Sequence, residues 1–271
     1  MAPSAHRDFH QASGLARGVE EVRAPREATA AEREARTDPG KRYGTGDYEL
    51  RLPAPALAET GLAAALAARR STRAFLDRPV AFAQVGAVLG AYRRSGALEL
   101  PGFTLPLRTV PSAGGLYPIE VYLVAKRVTG LPAGLYHYRP LEEAMARVGR
   151  EGEEAGTRLG ALLLDPGQAE RAAGAIVLTA RFARSTDKYR ERGYRYALLE
   201  AGGVAQVFAL AAAAAGVGMV CHGAFFDGEA DRLLGLDGLA ESALVVLLFG
   251  AAEPFLDSTR GDQSAQPRPR R

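Results

Sequence analysis

Residues 196–216 form the longest helix that the sequence predicts, and this segment constrains the fold most. It is rich in alanine, and its larger apolar side chains are spread around the helix: Leu198, Leu199, Val204, Val207, Phe208 and Leu210. A helix that is apolar on all sides is buried at the centre of a domain. Gly202 and Gly203 each cost roughly 1 kcal/mol relative to alanine. They therefore indicate that another backbone or a neighbouring subunit packs closely against this helix.

The composition supports one large domain or two small ones. The chain has 271 residues, of which 47% are hydrophobic, enough for a sizeable core. Its net charge of +3 comes without a basic stripe, so nucleic acid is not an expected partner. The one cysteine, Cys221, excludes an intrachain disulfide. We expect a buried thiol and a cytoplasmic setting.

Other patterns limit the function classes further. The first 21 residues are polar and lack the apolar core of a secretory signal, and no apolar run reaches the length of a membrane span. There is no CxxC pair, HExxH motif or Walker loop, so we expect no bound metal. His137 lies in a predicted strand, where a hydrogen-bonded structural role is the expected one.

The remaining elements alternate between strands and helices. The predicted helices are 57–69, 81–92 and 227–236, with a further exposed helix at 24–36. The predicted strands are 119–127, 134–139, 173–181, 243–249 and a short strand within 217–226, with 95–108 as a loop. We expect a leader at 1–56 that wraps the body, a folded body at 57–252 and a flexible tail at 253–271.

A turn of small residues leads into the strand at 119–127. It contains Pro111, Ser112, Gly114, Gly115 and Pro118, all residues that favour turns. Two adjacent glycines let a backbone approach a flat molecule without an intervening Cβ. The turn is therefore either a loop that lays amide groups against a planar cofactor or an ordinary connection to a strand.

A cluster of arginines follows the helix at 57–69. Arg69, Arg70 and Arg73 lie within five residues of one another, together with Ser71 and Thr72. Guanidinium groups bind phosphate through paired charge-assisted hydrogen bonds, and a serine hydroxyl adds a short donor. The alternative is a solvated helix end, where arginine interacts favourably with the helix dipole.

Lys188 and Tyr189 begin a second polar cluster that ends at Arg195. A tyrosine exchanges a proton more readily when a neighbouring ammonium favours its phenolate form. The alternative is an exposed helix start held by ion pairs. Further along the chain, His222 and Gly223 end a short strand, and the bare amide of Gly223 could face a ligand.

Taken together, the segments 69–75, 111–120 and 188–202 resemble those of the SagB-type dehydrogenases, a branch of the FMN-dependent nitroreductase superfamily. Residues 9–13, 41–43 and 52–53 also resemble the family's N-terminal motifs, so the resemblance covers roughly residues 8–252. It implies a nitroreductase-like α+β fold, with a central, mostly antiparallel sheet flanked by helices. It also implies an intertwined homodimer with two FMN molecules at the subunit interface.

The resemblance implies roles for individual residues. Lys188 and Tyr189 match the family's pair linked to proton removal. The residues that would contact FMN are Arg69, Arg70, Ser71 and Arg73 at the phosphate and ribityl chain, Pro111, Ser112, Ala113, Gly114 and Gly115 beside the isoalloxazine, and His222 and Gly223 near its N5 and O4 atoms. The 112–115 turn would come from the other subunit.

The implied reaction is oxidation of thiazoline or oxazoline rings to thiazole or oxazole in a ribosomally made peptide. A cyclodehydratase partner would present the modified precursor. Two alternatives remain: an NAD(P)H-dependent reductase of dehydroamino acids, quinones or nitro compounds, and a non-catalytic scaffold subunit. The sequence departs from the family at two places. Gly203 stands where many relatives have histidine, and residues 250–253 lack the arginine that often contacts phosphate.

Overall fold

The structure is a computed structural model of the chain, and it describes residues 5–13, 41, 49–53, 60–148, 156 and 158–253. The helices in these ranges are α1 (Ala5–Ala12), α2 (Leu62–Ala68), α3 (Phe82–Leu89), α4 (Ala183–Tyr189), α5 (Glu191–Ala214) and α6 (Asp227–Leu234). The strands are β1 (Glu49–Arg51), β2 (Val80–Ala81), β3 (Arg94–Leu100), β4 (Phe103–Arg108), β5 (Ile119–Ala125), β6 (Val128–Thr129), β7 (Gly134–Arg139), β8 (Ala144–Arg147), β9 (Gly174–Arg181), β10 (Gly218–His222) and β11 (Glu241–Gly250).

A seven-stranded sheet forms the centre of the molecule. Its strand order is β1-β8-β7-β5-β9-β11-β10, and every neighbouring pair is antiparallel. β5 and β9 are buried on both faces, apart from the last residue of β9, because helices and turns cover the sheet on each side. The predicted α+β fold with a mostly antiparallel sheet is confirmed.

The two faces of the sheet carry separate apolar cores. On one face, α3 and α5 pack against alternate residues of β5, including Val121 and Leu123. On the other face, short 3-10 turns at Leu159–Leu162 and Pro166–Ala169, together with α6, pack against Tyr122. The alternation of side chains along each strand produces this division.

The antiparallel order brings several chain segments to one edge of the sheet. β5 and β11 begin at this edge, and β9 ends there. The small-residue turn before β5 and the helix α4 after β9 therefore lie at the same edge. β10 runs towards this edge but ends at His222, which lies level with Val246 of β11, Val177 of β9 and Tyr122 of β5. β9 and β11 separate β5 from β10, so these two strands are about 14 Å apart at the usual strand spacing.

The segment 95–108 is not a loop, contrary to our expectation. It forms an antiparallel hairpin of β3 and β4, in which Leu100 pairs with Phe103 across Pro101 and Gly102. Gly102 has a φ of 82°, which suits the third position of a type II turn. The pattern of alternating leucines on both sides of a Pro-Gly pair was present in the sequence and indicates such a hairpin.

Helix α5 is apolar but not buried on all sides. Ala201, Val204 and Phe208 pack into the core, whereas Leu199 is 68% exposed and Gly202 faces open space. A Cβ on Gly203 would lie 3.4 Å from a side-chain carbon of Val110. Because alanine and other apolar residues occur on both faces of α5, the sequence pattern does not distinguish the buried face from the exposed one. The prediction of a helix buried on all sides is wrong for a single chain.

Among the described residues, helix α5 is long enough and apolar enough to cross a membrane, judged by length and composition alone. This differs from our expectation that no segment is long enough. Its packing against α3 and the central sheet accounts for the apolar composition, as for the core helix of a globular domain.

Parts of the N-terminal segment contact the body. Phe9 in α1 packs edge-on against the ring of Tyr194, with ring centroids 5.2 Å apart, and Arg195 donates to the hydroxyl of Ser13. Lys41 forms an ion pair of 2.7 Å with the buried Glu241. The division at residue 56 stays a prediction, and the predicted helix at 24–36 and nearly all of the predicted tail lie outside the described residues.

Candidate active site

The loop between β4 and β5 is closed on itself by its own hydrogen bonds. The backbone N–H of Arg108 donates to Tyr117 Oη over 2.9 Å, and the backbone N–H of Tyr117 donates to Ser112 Oγ over 2.8 Å. The Arg108 guanidinium lies 4.6 Å from the centroid of the Tyr117 ring. Arg184 donates to the Tyr117 carbonyl over 2.9 Å. These contacts hold the turn 112–115 from both ends.

The two glycines of this turn are required by the contacts of the chain itself. Gly114 and Gly115 both have a φ of 65°, in the left-handed region that favours glycine. A Cβ on Gly114 would lie 2.6 Å from Tyr189 Oη and 2.9 Å from Lys188 Nζ. On Gly115 it would lie 2.6 Å from a methyl carbon of Leu105. The turn and the Lys-Tyr pair therefore meet within one chain.

Lys188 and Tyr189 occupy the last turn of α4. Arg190, with a φ of 51°, ends this helix and starts α5, so the chain bends sharply after Tyr189. Gly193 permits this bend, since a Cβ there would lie 2.6 Å from the backbone of Ser185. Lys188 Nζ lies 5.1 Å from the centroid of the Tyr189 ring. The ammonium therefore lies beside the aromatic ring of its neighbour.

The arginine segment lies along the outer edge of the sheet. Ser71 bridges to Met219 of β10, and the backbone N–H of Thr72 donates to the Met219 carbonyl over 2.9 Å. Arg70 donates to the Ala67 carbonyl at the end of α2, which fits the alternative role as a helix-end residue. Arg70, Ser71 and Arg73 are exposed, and Arg69 is half-buried.

His222 ends β10, level with Tyr122 in the middle of β5, and Gly223 follows it. His222 is buried, and within the described part of the chain its Nε2 atom has no hydrogen-bond partner. Gly223 is exposed, and a Cβ there would meet nothing within 4 Å. Cys221 is exposed rather than buried, because β10 is the outermost strand of the sheet and this side chain is left uncovered there. The expectation of a buried thiol is wrong.

Sequence reasoning missed a set of buried charges around the turn. Glu120 forms ion pairs of 2.7 Å with both His137 and Arg184. Burial raises the pKa of Glu120, but His137, Arg184 and Arg108 outweigh it and lower the pKa to about 2. The structural role predicted for His137 fits this contact.

Glu200 is the second missed carboxylate, and it lies on α5 with 6% of its surface exposed. Burial raises its pKa to about 7, against the opposing effects of a hydrogen bond to Ser112 and the charges of Arg108 and Arg184. Glu200 is the one charged residue of the mostly apolar stretch 196–214, which was a usable signal, since a buried carboxylate needs specific partners.

The structure thus forms two groups of predicted site residues. Pro111, Ser112, Ala113, Gly114 and Gly115 lie in the turn that meets Lys188 and Tyr189. The segment 69–73 instead lies against β10, which ends at His222. Within the described residues, no cluster of three or more His, Cys, Asp or Glu side chains could hold a metal ion. The two groups are carried by strands three positions apart, and Ser71 bridges to Met219, which lies level with Ala125 at the end of β5 farther from the turn.

An antiparallel sheet covered by helices, with a glycine turn and a Lys-Tyr pair at one edge, defines a nitroreductase-like protein. The profile of the Nitroreductase family matches residues 66–251, and the chain belongs to this family. The predicted family is thereby confirmed.

Three curated relatives support this assignment. A nitroreductase-family protein of Methanocaldococcus jannaschii is 32% identical over 185 residues, which cover 68% of this chain and 89% of the relative. The microcin B17-processing protein McbC of Escherichia coli is 33% identical over 53% of this chain and 54% of its own length. The trifolitoxin-processing protein TfxB of Rhizobium leguminosarum is 31% identical over 51% of this chain and 38% of its own.

Solved structures show the same fold. A nitroreductase-family protein from Anabaena variabilis matches with a TM-score of 0.69 and 26% identity, covering 90% of this chain and 45% of that one. A chain of the E. coli microcin synthetase McbBCD complex with truncated pro-MccB17 matches with a TM-score of 0.58 and 24% identity, covering 92% of each chain.

Proposed function

We propose that this protein is an FMN-dependent dehydrogenase that oxidises thiazoline or oxazoline rings to thiazole or oxazole in a ribosomally synthesised peptide. One observation carries the proposal: Lys188 and Tyr189 lie against Gly114, within the turn that would face the flavin. A proton-accepting pair at such a turn suits a reaction in which a hydride and a proton leave neighbouring ring atoms.

The residues present fit an FMN molecule. Arg69 and Arg73 offer guanidinium groups for a phosphate, with Ser71 as a hydroxyl donor. His222 Nε2 is a buried polar atom without a hydrogen-bond partner in the described residues, and such atoms usually have one. The open position at Gly223 leaves its backbone accessible to a planar ring. FMN, when bound, supplies the acceptor for the hydride.

The protein's own residues orient the ring and move the proton. Tyr189 Oη would accept the proton from the azoline carbon as phenolate, and the ammonium of Lys188 would stabilise that phenolate. The turn 112–115, held by its own hydrogen bonds, would place only small residues against the face of the cofactor. Because the azole product is aromatic, removal of the two hydrogens is favourable once the ring is aligned.

Another arginine lies near the place where this chain lacks the phosphate-contacting arginine of its relatives. Residues 250–253 contain no arginine, but Arg78 donates to the Ala252 carbonyl over 3.4 Å. A guanidinium group from the segment after α2 therefore lies at the end of β11. It could contribute to the phosphate contacts that the missing arginine makes in relatives.

The proposal extends to partners and location. We propose a cytoplasmic homodimer in which the exposed face of α5, with Leu198 and Leu199, packs against a second copy. The turn group of one subunit would then face the arginine group of the other.

The names of McbC and TfxB, both peptide-processing proteins, support a precursor peptide as substrate. A cyclodehydratase would present that peptide.

Family membership also supports a second candidate, an NAD(P)H-dependent reductase of nitro compounds, quinones or dehydroamino acids. The direction of electron flow separates the two. A third candidate, a scaffold subunit without FMN, is disfavoured because the Lys-Tyr pair and the arginine segment are both present.

The test combines the purified protein with FMN and a synthetic peptide that contains one thiazoline. We expect flavin absorbance in the purified protein and the loss of two hydrogens from the peptide by mass spectrometry. Replacing both Lys188 and Tyr189 by alanine should abolish this loss while FMN stays bound. Lys126→Ala, at the opposite edge of the sheet, is the control. Azole formation by the double variant would refute the proposed role of the pair, and rapid NAD(P)H oxidation without azole formation would favour the reductase.

A further inference from the structure

The N-terminal motif at residues 9–13 has no part in the proposed reaction, yet the structure joins it to the body of the protein. Phe9 and His10 lie in α1, and Ser13 follows the end of this helix. Ser13 is 0% exposed. A serine this deeply buried needs hydrogen-bond partners, and those outside α1 come from the first turns of α5.

Two arginines of α5 hold the C-terminal end of α1. Arg192 donates to the Ser13 carbonyl over 3.0 Å. Arg195 donates to the His10 carbonyl over 3.0 Å and to Ser13 Oγ over 2.6 Å. The two arginines are three positions apart and therefore lie on one face of α5. The last carbonyls of a helix lack partners within it and carry partial negative charge, so guanidinium groups are well suited to fix α1 to α5.

Aromatic rings connect α1 to the start of α4. The ring of Phe9 packs edge-on against that of Tyr194, with centroids 5.2 Å apart. The other neighbour of Tyr194 is Phe182, the residue that precedes α4, whose ring centroid is 5.1 Å away. Such ring pairs have preferred mutual orientations, so each ring limits the positions open to the next. Tyr194 therefore relates the position of α1 to the beginning of the helix that carries Lys188 and Tyr189.

A second connection reaches the end of α4. The Arg192 guanidinium, which binds the Ser13 carbonyl, also lies 5.4 Å from the centroid of the Tyr196 ring. A cation at this distance is attracted to the ring face. The Tyr196 ring in turn packs edge-on against that of Tyr189, with centroids 5.1 Å apart and an angle of 89° between the planes. Ser13, Arg192, Tyr196 and Tyr189 thus form a continuous series of contacts.

We propose that helix α1 is a positioning element for the Lys-Tyr pair. It fixes the start of α4 through Phe9 and Tyr194, and it fixes the ring of Tyr189 at the end of α4 through Arg192 and Tyr196. The helix acts on Tyr189 through other residues, so its role is to hold the geometry of the pair. This proposal rests on the proposed function for the catalytic role of Tyr189, whereas the series of contacts is a property of the chain alone.

The test follows the ring of Tyr189 directly by fluorine NMR. The full-length protein is prepared with 3-fluorotyrosine at position 189 only, and its resonance is compared between variants under the same conditions. The same protein unfolded in urea gives the resonance of a solvent-exposed ring. In the folded protein the resonance should lie away from that value, because the neighbouring ring of Tyr196 shifts it.

Three variants make the result decisive. Phe9→Ala removes the ring that contacts Tyr194, and Arg192→Met removes the guanidinium that contacts Ser13 and Tyr196. Both should move the resonance towards its position in the unfolded protein. Asp8→Ala changes an exposed residue of α1 and should leave the resonance in place. A wild-type resonance in Phe9→Ala would overturn the proposal, and this variant decides the question even if Arg192→Met does not fold.

Kinetics with the thiazoline peptide relate this coupling to catalysis. Phe9→Ala should lower kcat about tenfold and change KM by less than about twofold, because α1 affects the position of the proton acceptor and not the binding of the peptide. A variant that loses stability but keeps the wild-type kcat and resonance would make α1 a structural support only and overturn the proposal. A wild-type protein without azoline turnover would refute the proposed function but leave the fluorine result intact, because that measurement requires no reaction.

Discussion

Tyr189 Oη lies 2.6 Å from the position that a Cβ atom on Gly114 would occupy. These residues are 75 positions apart in the chain, and the order of β5 and β9 in the sheet brings them together. The contact explains why glycine stands at position 114 in physical terms: any side chain would displace the phenol of Tyr189 or the ammonium of Lys188.

Gly114→Ala is therefore expected to damage catalysis more than folding. The left-handed backbone of residue 114 costs alanine about 1–2 kcal/mol of unfolding free energy. Displacement of Tyr189 should lower kcat by about a hundredfold, the effect of misplacing a catalytic group by roughly 1 Å. Urea unfolding and azoline turnover measure the two effects. Gly96→Ala, whose Cβ would meet nothing within 4 Å, is the control, and equal losses in both variants would contradict the assignment.

The exposed face of α5 provides a test of the proposed dimer. Leu199 is 68% exposed in the single chain and would be covered by the second copy. Leu199→Glu would place a carboxylate in that interface and should raise the dimer dissociation constant about a hundredfold or more. Light scattering after gel filtration measures the mass. Leu239→Glu changes an even more exposed leucine, at 83%, and should remain dimeric. A Leu199→Glu protein that stays dimeric would place the interface elsewhere.

The ion pair between Lys41 and Glu241 predicts that the N-terminal segment contributes to stability. Glu241 also accepts hydrogen bonds from Thr179 and Tyr122, so its carboxylate is buried among polar groups that depend on it. Lys41→Met removes the cation that pairs with this carboxylate and should lower the unfolding free energy by about 2 kcal/mol. This loss is smaller than that expected for a fully buried ion pair, because Lys41 is partly exposed. Arg93→Met breaks the exposed pair with Glu143 and should cost less than about 1 kcal/mol. Similar effects of both substitutions would show that the Lys41 contact is weak in solution.

Glu120 predicts a loss of stability in acid. Its burial would raise its pKa, but the hydrogen bond from His137 and the charge of Arg184 lower it to about 2. A depressed folded-state pKa means that the stabilisation is complete above about pH 4.5 and is lost as the pH falls towards 2. The wild type should lose about 2 kcal/mol of unfolding free energy between pH 5 and pH 3 from this residue.

The matched variant for this experiment is Glu120→Gln, which removes the charge but keeps the shape. It should be less stable than the wild type at pH 7, because His137 and Arg184 lose their carboxylate. The difference between the two proteins should shrink as the pH falls, as urea unfolding at pH 5, 4 and 3 would reveal. A constant difference would mean that folding does not lower the pKa of Glu120.

The sequence by itself determined the elements with strong local patterns. Apolar runs predicted strands β5, β7, β9 and β11, and the alanine-rich segment predicted α5, because burial of a face follows directly from the periodicity of the side chains. Turn residues and motif strings also indicated the family and the segments of the site. Each of these signals is local, because it depends only on a residue and its near neighbours in the sequence.

The tertiary structure alone decided the relationships between distant residues. The meeting of Gly114 with Tyr189, the burial of Glu200 and the exposure of one face of α5 depend on strand order and helix packing. No local pattern encodes these distances. A glutamate in an apolar stretch is the same in sequence whether it faces solvent or the interior, and only the packing of α5 makes Glu200 a buried acid.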